Sequence, residues 1–251
     1  MTTRKRLDLT VYVPALVAND GRTRAAVRGM ERALPGLRLN WEVGKGGRAI
    51  ELQQRDAWLV DATTRGKLPL LCNGDECYPV TVSGRGRSGR LGPGGHPLLD
   101  VHAELPLDAV VIAAAGEMLE RVAEGACAFW GHATPDDAGL DIAYQTAPTL
   151  EGPPSPRRGL PALKLLEQIR APEIPYYLGW LNYWSAAAAQ AIGFPDPSRD
   201  AELLSRSRRT ASGGWVVQLT DAPLDLDNPT HLDALLLAYE RFPEIGGRAV
   251  P

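Results

Sequence analysis

Four groups of residues in this 251-residue chain have the types and spacing that chemistry needs. Gly84-Arg-Gly86-Arg-Ser-Gly89 spells the Gly-x-Gly-x-x-Gly of a dinucleotide loop and follows an expected strand. Such a loop has to open a helix, so that the first free amides point at a phosphate. Leu91-Gly-Pro-Gly-Gly95 forbids a helix here, which leaves Gly84 to Gly95 as a mobile Gly/Arg-rich surface loop. Arg85, Arg87 and Arg90 lack the neighbouring aromatics of a nucleic-acid platform. Cys72 and Cys77 flank a turn-like stretch, but zinc needs two further ligands at local spacing, and His96 and His102 lie on another segment. No metal or cofactor is expected. His132 with Asp136 and Asp137 is the most suggestive acid–base cluster, although a loop histidine that simply bonds backbone is the preferred reading. No Gly-x-Ser-x-Gly elbow is present, and the expectation is a protein that catalyses nothing.

The fourth group is aromatic: Tyr176, Tyr177, Trp180, Tyr183 and Trp184. Read as a helix from about Tyr177 to Ile192, it puts Tyr177, Trp180 and Trp184 on a core stripe. Tyr176 and Tyr183 then lie off the stripe as candidate interface anchors.

Charge is distributed unevenly. The net formal charge is −3, yet residues 1–90 hold sixteen Lys/Arg against nine Asp/Glu. Residues 91–156 hold one base, Arg121, against ten carboxylates. Between Arg209 and Arg241 there is no base, and Asp221, Asp225, Asp227, Asp233 and Glu240 supply five acids. If these segments meet they form an acidic face that repels nucleic acid and steers a basic partner inward. The alternative is carboxylates scattered over a solvated surface. Asp136, Asp137 and Asp141, in the opening turns of an expected helix, are the first candidates for partner contact. Asp225 and Asp227, in a Pro/Asp-rich loop, are the second.

The elements that position these groups follow from periodicity. Leu7, Leu9, Val11 and Val13 alternate as a strand, and Ala26, Val27, Met30, Ala33 and Leu34 make a helical stripe stopped by Pro35-Gly36. A strand at 37–41, a short strand near 49–52, a helix over 55–65 and strands near 70 and 78–83 complete a ferredoxin-like βαββαβ order within residues 1–83. A strand at 99–105 and a long helix after Pro106 follow, and an acidic helix starts at Thr134-Pro135. The last hundred residues give a short helix after Pro197, a strand at 215–219 and a helix over 230–241. The fold class is therefore α+β, an antiparallel or mixed sheet with helices, ferredoxin-like at its N-terminal part and helix-rich at its C-terminal part. The Pro-rich stretch 148–159 suggests a linker between a lobe of residues 1–147 and a helix-rich lobe of residues 160–251 packed on it, or one domain made of both. The longest apolar run, Ala109 to Ala115, is far below the roughly 20 residues that span a bilayer. Three cysteines cannot all pair, and no signal-peptide core follows the N-terminus, so the expected location is the cytoplasm.

Several ordered segments carry a resemblance. Phe129-Trp-Gly-His-Ala-Thr-Pro135, Ile174-Pro-Tyr-Tyr-Leu-Gly-Trp-Leu-Asn-Tyr-Trp-Ser185 and Gly213-Gly-Trp-Val-Val-Gln-Leu-Thr-Asp221 stand with Val13-Pro-Ala-Leu16, His231-Leu-Asp-Ala-Leu235 and Phe242-Pro-Glu-Ile-Gly246. Together they resemble a group of bacterial proteins similar to the immunity protein 52 family of polymorphic-toxin systems. That resemblance implies a cytoplasmic antitoxin that binds and blocks a cognate toxin with a restriction-endonuclease-like nuclease domain, without itself binding nucleic acid or membrane. The rival expectations are a small hydrolase built around His132 and a scaffolding protein that pairs through its aromatic segment.

Overall fold

The computed structural model describes residues 5–17, 20–44, 46–64, 66–146 and 157–249. The expected linker falls largely outside them. Among the described residues, ten strands form one antiparallel sheet in the order β3-β2-β4-β5-β6-β1-β7-β8-β10-β9. They are β1 (Arg6–Pro14), β2 (Trp41–Val43), β3 (Ala49–Glu51), β4 (Leu68–Cys72), β5 (Thr81–Arg87), β6 (Leu98–Pro106), β7 (Trp130–Pro135), β8 (Leu181–Trp184), β9 (Ser207–Arg209) and β10 (Trp215–Gln218). The helices are α1 (Arg22–Ala33), α2 (Arg55–Thr64), α3 (Ala109–Ala126), α4 (Asp136–Ala143), α5 (Ala186–Ala191), α6 (Ala201–Ser205) and α7 (Pro229–Arg241).

The fold class is α+β. Its ferredoxin-like part has different limits from those expected. β1 lies between β6 and β7, so the split βαβ pattern is β1-α1-β5-β6-α3-β7, with neighbours in the order β5-β6-β1-β7. Residues 1–83 are therefore not a layer of their own. β2, β3, α2 and β4 are inserted after α1 and extend the sheet beyond β5. Element order alone is the same in both arrangements, and only the long-range pairing of β1 with β6 separates them.

Alternation along β1 sets the layers. Leu7, Leu9, Val11 and Val13 are fully buried on one face, where α1 and α3 pack side by side. Small residues allow that close crossing: a Cβ on Gly29 would sit 2.6 Å from the Arg121 carbonyl oxygen, and one on Gly125 2.8 Å from the Ala25 backbone. On the opposite face Tyr12 stacks on Trp130 at 4.0 Å between ring centres. Trp130 is in turn paired with Trp184 across β7 and β8. Trp184 meets Phe194 and Phe242 edge-on at 5.1 and 5.3 Å, which closes an aromatic second layer over that end of the sheet. β7 pairs with β8, so the sheet runs unbroken across the two expected lobes.

Three local expectations are corrected. The aromatic segment is an extended chain running into β8, with α5 starting only after Ser185, whose hydroxyl accepts from the Ala188 amide. The Gly/Arg stretch is not all loop, because Gly84 and Gly86 lie within β5 and Arg87 pairs with Asp100. Residues 130–135 form β7, and the acidic helix starts after it at Asp136.

Candidate functional site

The strand ends that carry Leu7, Pro135, Leu181 and Gln218 lie together along one end of the sheet. α4 leaves from β7 there, and the loop from Leu219 to Asn228 leaves from β10. These two acidic segments converge on Lys5. Its ammonium lies 2.7 Å from Asp137 Oδ2, and its pKa is raised first by that hydrogen bond and charge, then by Asp225 and Asp136. The Asp136 carboxylate accepts from the Arg6 and Asp137 amides at 3.2 and 3.1 Å. It thereby ties the helix start to β1. Asp225 and Asp227 are exposed, and Asp225 accepts from the Asp227 amide at 3.0 Å.

Four of the expected contact carboxylates therefore meet at one end of the molecule. Asp141 does not join them at the surface. It is 8% exposed and ion-paired with Arg158, which also reaches Asp227 Oδ1 at 2.8 Å. Asp141 lies one turn on from the exposed Asp137 and is covered by Arg158, so it clamps the chain near Arg158 to α4. The two expected aromatic anchors are buried as well, Tyr176 in the segment before β8 and Tyr183 within β8. Tyr176 packs against Tyr177 at 4.2 Å, and Tyr183, 2% exposed, donates its hydroxyl to Glu124 at 2.9 Å. Burial is the main cause that pushes both phenols above their usual range.

Sequence reasoning missed the groove beside this end. It has a volume of about 740 Å³ and lies between α3 and the β9–β10 hairpin, floored by Trp180 and Leu181. Glu117, Glu120, Glu124 and Asp221 face Arg121 and Arg208 in it. Glu117 pairs with Arg121 at 2.7 Å, Glu120 pairs with Arg208, and Glu124 Oε1 accepts from Tyr183, Thr210 and Ser212. Asp221 is exposed, with no side-chain partner among the described residues, and it starts the loop that carries Asp225 and Asp227. The i, i+3 and i+4 spacing of Glu117, Glu120, Arg121 and Glu124 was a readable signal for one charged helix face.

His132 stands apart from the acids once paired with it in sequence. Its Nδ1 lies 3.3 Å from Thr134 Oγ1, its ring meets Tyr177 edge-on, and burial pushes its pKa down to about 4. The ring is therefore neutral near pH 7. Cys72 is half-buried and Cys77 exposed, and among the described residues only Asp8, His102 and Glu104 bring ligand-type atoms close enough to share a cation. No helix among the described residues is long and apolar enough to cross a membrane.

The fold and the acidic end thus define an α+β protein with one ten-stranded antiparallel sheet and a groove along one helix. The chain belongs to the DUF5953 family, a domain of unknown function, whose pattern matches residues 18–250. No curated protein matches it. Among solved structures it is similar in fold to the Pseudomonas aeruginosa T6SS protein PA0821, with a TM-score of 0.59 and 16% identity over 96% of this chain and 73% of that one.

Proposed function

We propose that this chain is an immunity protein that binds a cognate toxin stoichiometrically in the cytoplasm and blocks it, the toxin being a nuclease with a basic active surface. The observation that carries this reading is the convergence of α4 and the 221–227 loop on Lys5, which gathers separated acidic segments into one surface beside an acid-lined groove. A nuclease must present positive charge to hold phosphates, and fixed carboxylates compete for that charge. Two further observations support the reading. The fold is similar to that of a T6SS protein, and the quoted motifs resemble a group of bacterial proteins similar to the immunity protein 52 family.

The contact carboxylates in this reading are Asp136, Asp137, Asp221, Asp225 and Asp227, with Asp141 holding the scaffold. The test is stopped-flow association with the toxin encoded beside this chain, across a salt series. Steering by surface charge is screened over about 8 to 10 Å at physiological ionic strength, so association should slow steeply as salt rises. Replacing Asp221, Asp225 and Asp227 together with Asn should slow association and flatten that slope, with the fold unchanged. A salt-independent parent rate, or an unchanged slope in the triple variant, removes this end of the sheet from the interface.

A further inference from the structure

The face of the sheet opposite α1 and α3 holds a cluster that the acidic surface does not use. β1 and β6 are antiparallel neighbours in which Asp8 stands opposite Glu104 and Thr10 opposite His102. Asp8, His102 and Glu104 therefore leave the sheet on one face, the carboxylates directly across from each other and the imidazole one step diagonal. Their ligand atoms all lie within 4.8 Å of one another. All three side chains are half-buried, so the cluster opens to solvent beside the aromatic layer.

Two independent features ask for a positive ligand there. Like charges placed directly opposite on paired strands are destabilising. In addition, neither the Asp8 carboxylate nor the His102 ring has a hydrogen-bond partner among the described residues, while Glu104 gives only Oε2, to Arg6 at 2.8 Å. Such unspent acceptors on a rigid pair of central strands are preorganised for a cation.

We propose that Asp8, His102 and Glu104 bind one divalent transition-metal ion of the zinc class. One imidazole nitrogen with two carboxylate oxygens suits Zn²⁺ or Co²⁺, whereas Ca²⁺ and Mg²⁺ prefer cages of six or more oxygens. Three protein ligands leave a coordination position for water or for a group brought by a partner. Cys72 lies in the same cross-strand row two strands away, paired through Thr81, and takes no part.

The full chain, stripped with a chelator, is titrated with Zn²⁺ by calorimetry and with Co²⁺ by visible absorption. One equivalent should bind, with tetrahedral Co²⁺ bands and a rise in the melting midpoint. Loss of a ligand's supporting partner alone weakens metal sites about 10- to 100-fold, so Asp8→Asn and His102→Ala should each weaken binding by roughly tenfold or more. Both side chains are partly exposed and unpartnered, so the metal-free His102→Ala variant should melt with the parent and Asp8→Asn, which removes one of two opposed charges, at or slightly above it. A Cys72→Ser, Cys77→Ser double variant should bind as the parent does. No saturable binding of either ion at millimolar concentration, unchanged affinity in Asp8→Asn and His102→Ala, or loss of binding in the cysteine variant overturns the site. Toxin association is read separately, and its failure would leave this result standing.

Discussion

The Lys5 ammonium lies 2.7 Å from the Asp137 carboxylate, with both side chains largely open to water, at 61% and 44% exposure. An exposed pair of this kind contributes about 0.2–1 kcal/mol, so its main effect is on local charge rather than on folding. Lys5 is the cation on which α4 and the 221–227 loop converge. Lys5→Ala should leave the melting midpoint nearly unchanged and speed association with a basic partner by about twofold at low salt, the gain vanishing as salt rises. Stopped-flow rates for parent and variant at two ionic strengths decide this, and slower association in the variant would place Lys5 itself against the partner.

Tyr183 acts inside the fold. Its hydroxyl shares Glu124 Oε1 with Thr210 and Ser212, at 2.9, 2.7 and 2.6 Å, which fastens the β9–β10 hairpin to α3. Tyr183→Phe removes one of three donors and should cost about 1 kcal/mol in urea unfolding. Glu124→Leu removes the acceptor that all three share and should cost more. Association by the folded Tyr183→Phe variant should match the parent, and a selective loss of binding at unchanged stability would restore Tyr183 as a contact.

His132 sets an acid limit on stability. Its pKa is about 4 in the folded chain against 6.5 for a free imidazole, so the unfolded chain takes up a proton first as pH falls. The stability this group contributes is complete above pH 6.5 and is lost progressively toward pH 4. The loss is on the order of 1–3 kcal/mol, the lower part of the range fitting a ring partly open to solvent. His132→Gln should flatten this part of the stability profile in urea melts between pH 7 and 4. The same variant should keep its toxin binding at pH 7, and a loss there with unchanged melting would assign the imidazole a chemical role.

How much of this was legible depends on which contacts are local. β1 and β6 are readable because Leu7, Leu9, Val11 and Val13 in one and Leu99, Val101, Ala103 and Leu105 in the other alternate cleanly, and α1 and α3 are readable from their apolar stripes. β8 is not, for a geometric reason. Trp180 and Trp184 are four apart, a spacing that places residues on one face of a helix and, equally, on one face of a strand. The interrupting Ser185 cap then makes the following alanines look like a continuation. β7 is masked by Gly131, His132 and Pro135, residues poor in strand preference, although Gly131 is needed there because a Cβ would sit 2.6 Å from Val11 Cγ1. The acidic surface was half legible. The charge runs marked the segments, but only the sheet order brings α4 beside the 221–227 loop, and only the long-range ion pair with Arg158 withdraws Asp141. The motifs behind the family resemblance turn out to hold packing residues such as Trp130, Trp180, Trp184 and Phe242, all 2% exposed or less.

The central position of β1 has a consequence for how the chain reaches this state. β1 precedes both of its neighbours, β6 and β7, in the chain, so Leu9 waits for Ala103 and Ala133 before it is flanked. Until then an alternating apolar strand with both edges free leaves the ribosome ahead of its partners, the condition under which strands find wrong ones. Closing the long loops between β1 and its neighbours is entropically costly before any pairing rewards it, which places this topology among the slow folders. The inserted β2-β3-α2-β4 unit lengthens that wait, and α1, already formed beside β1, is the element able to shield its apolar face in the meantime.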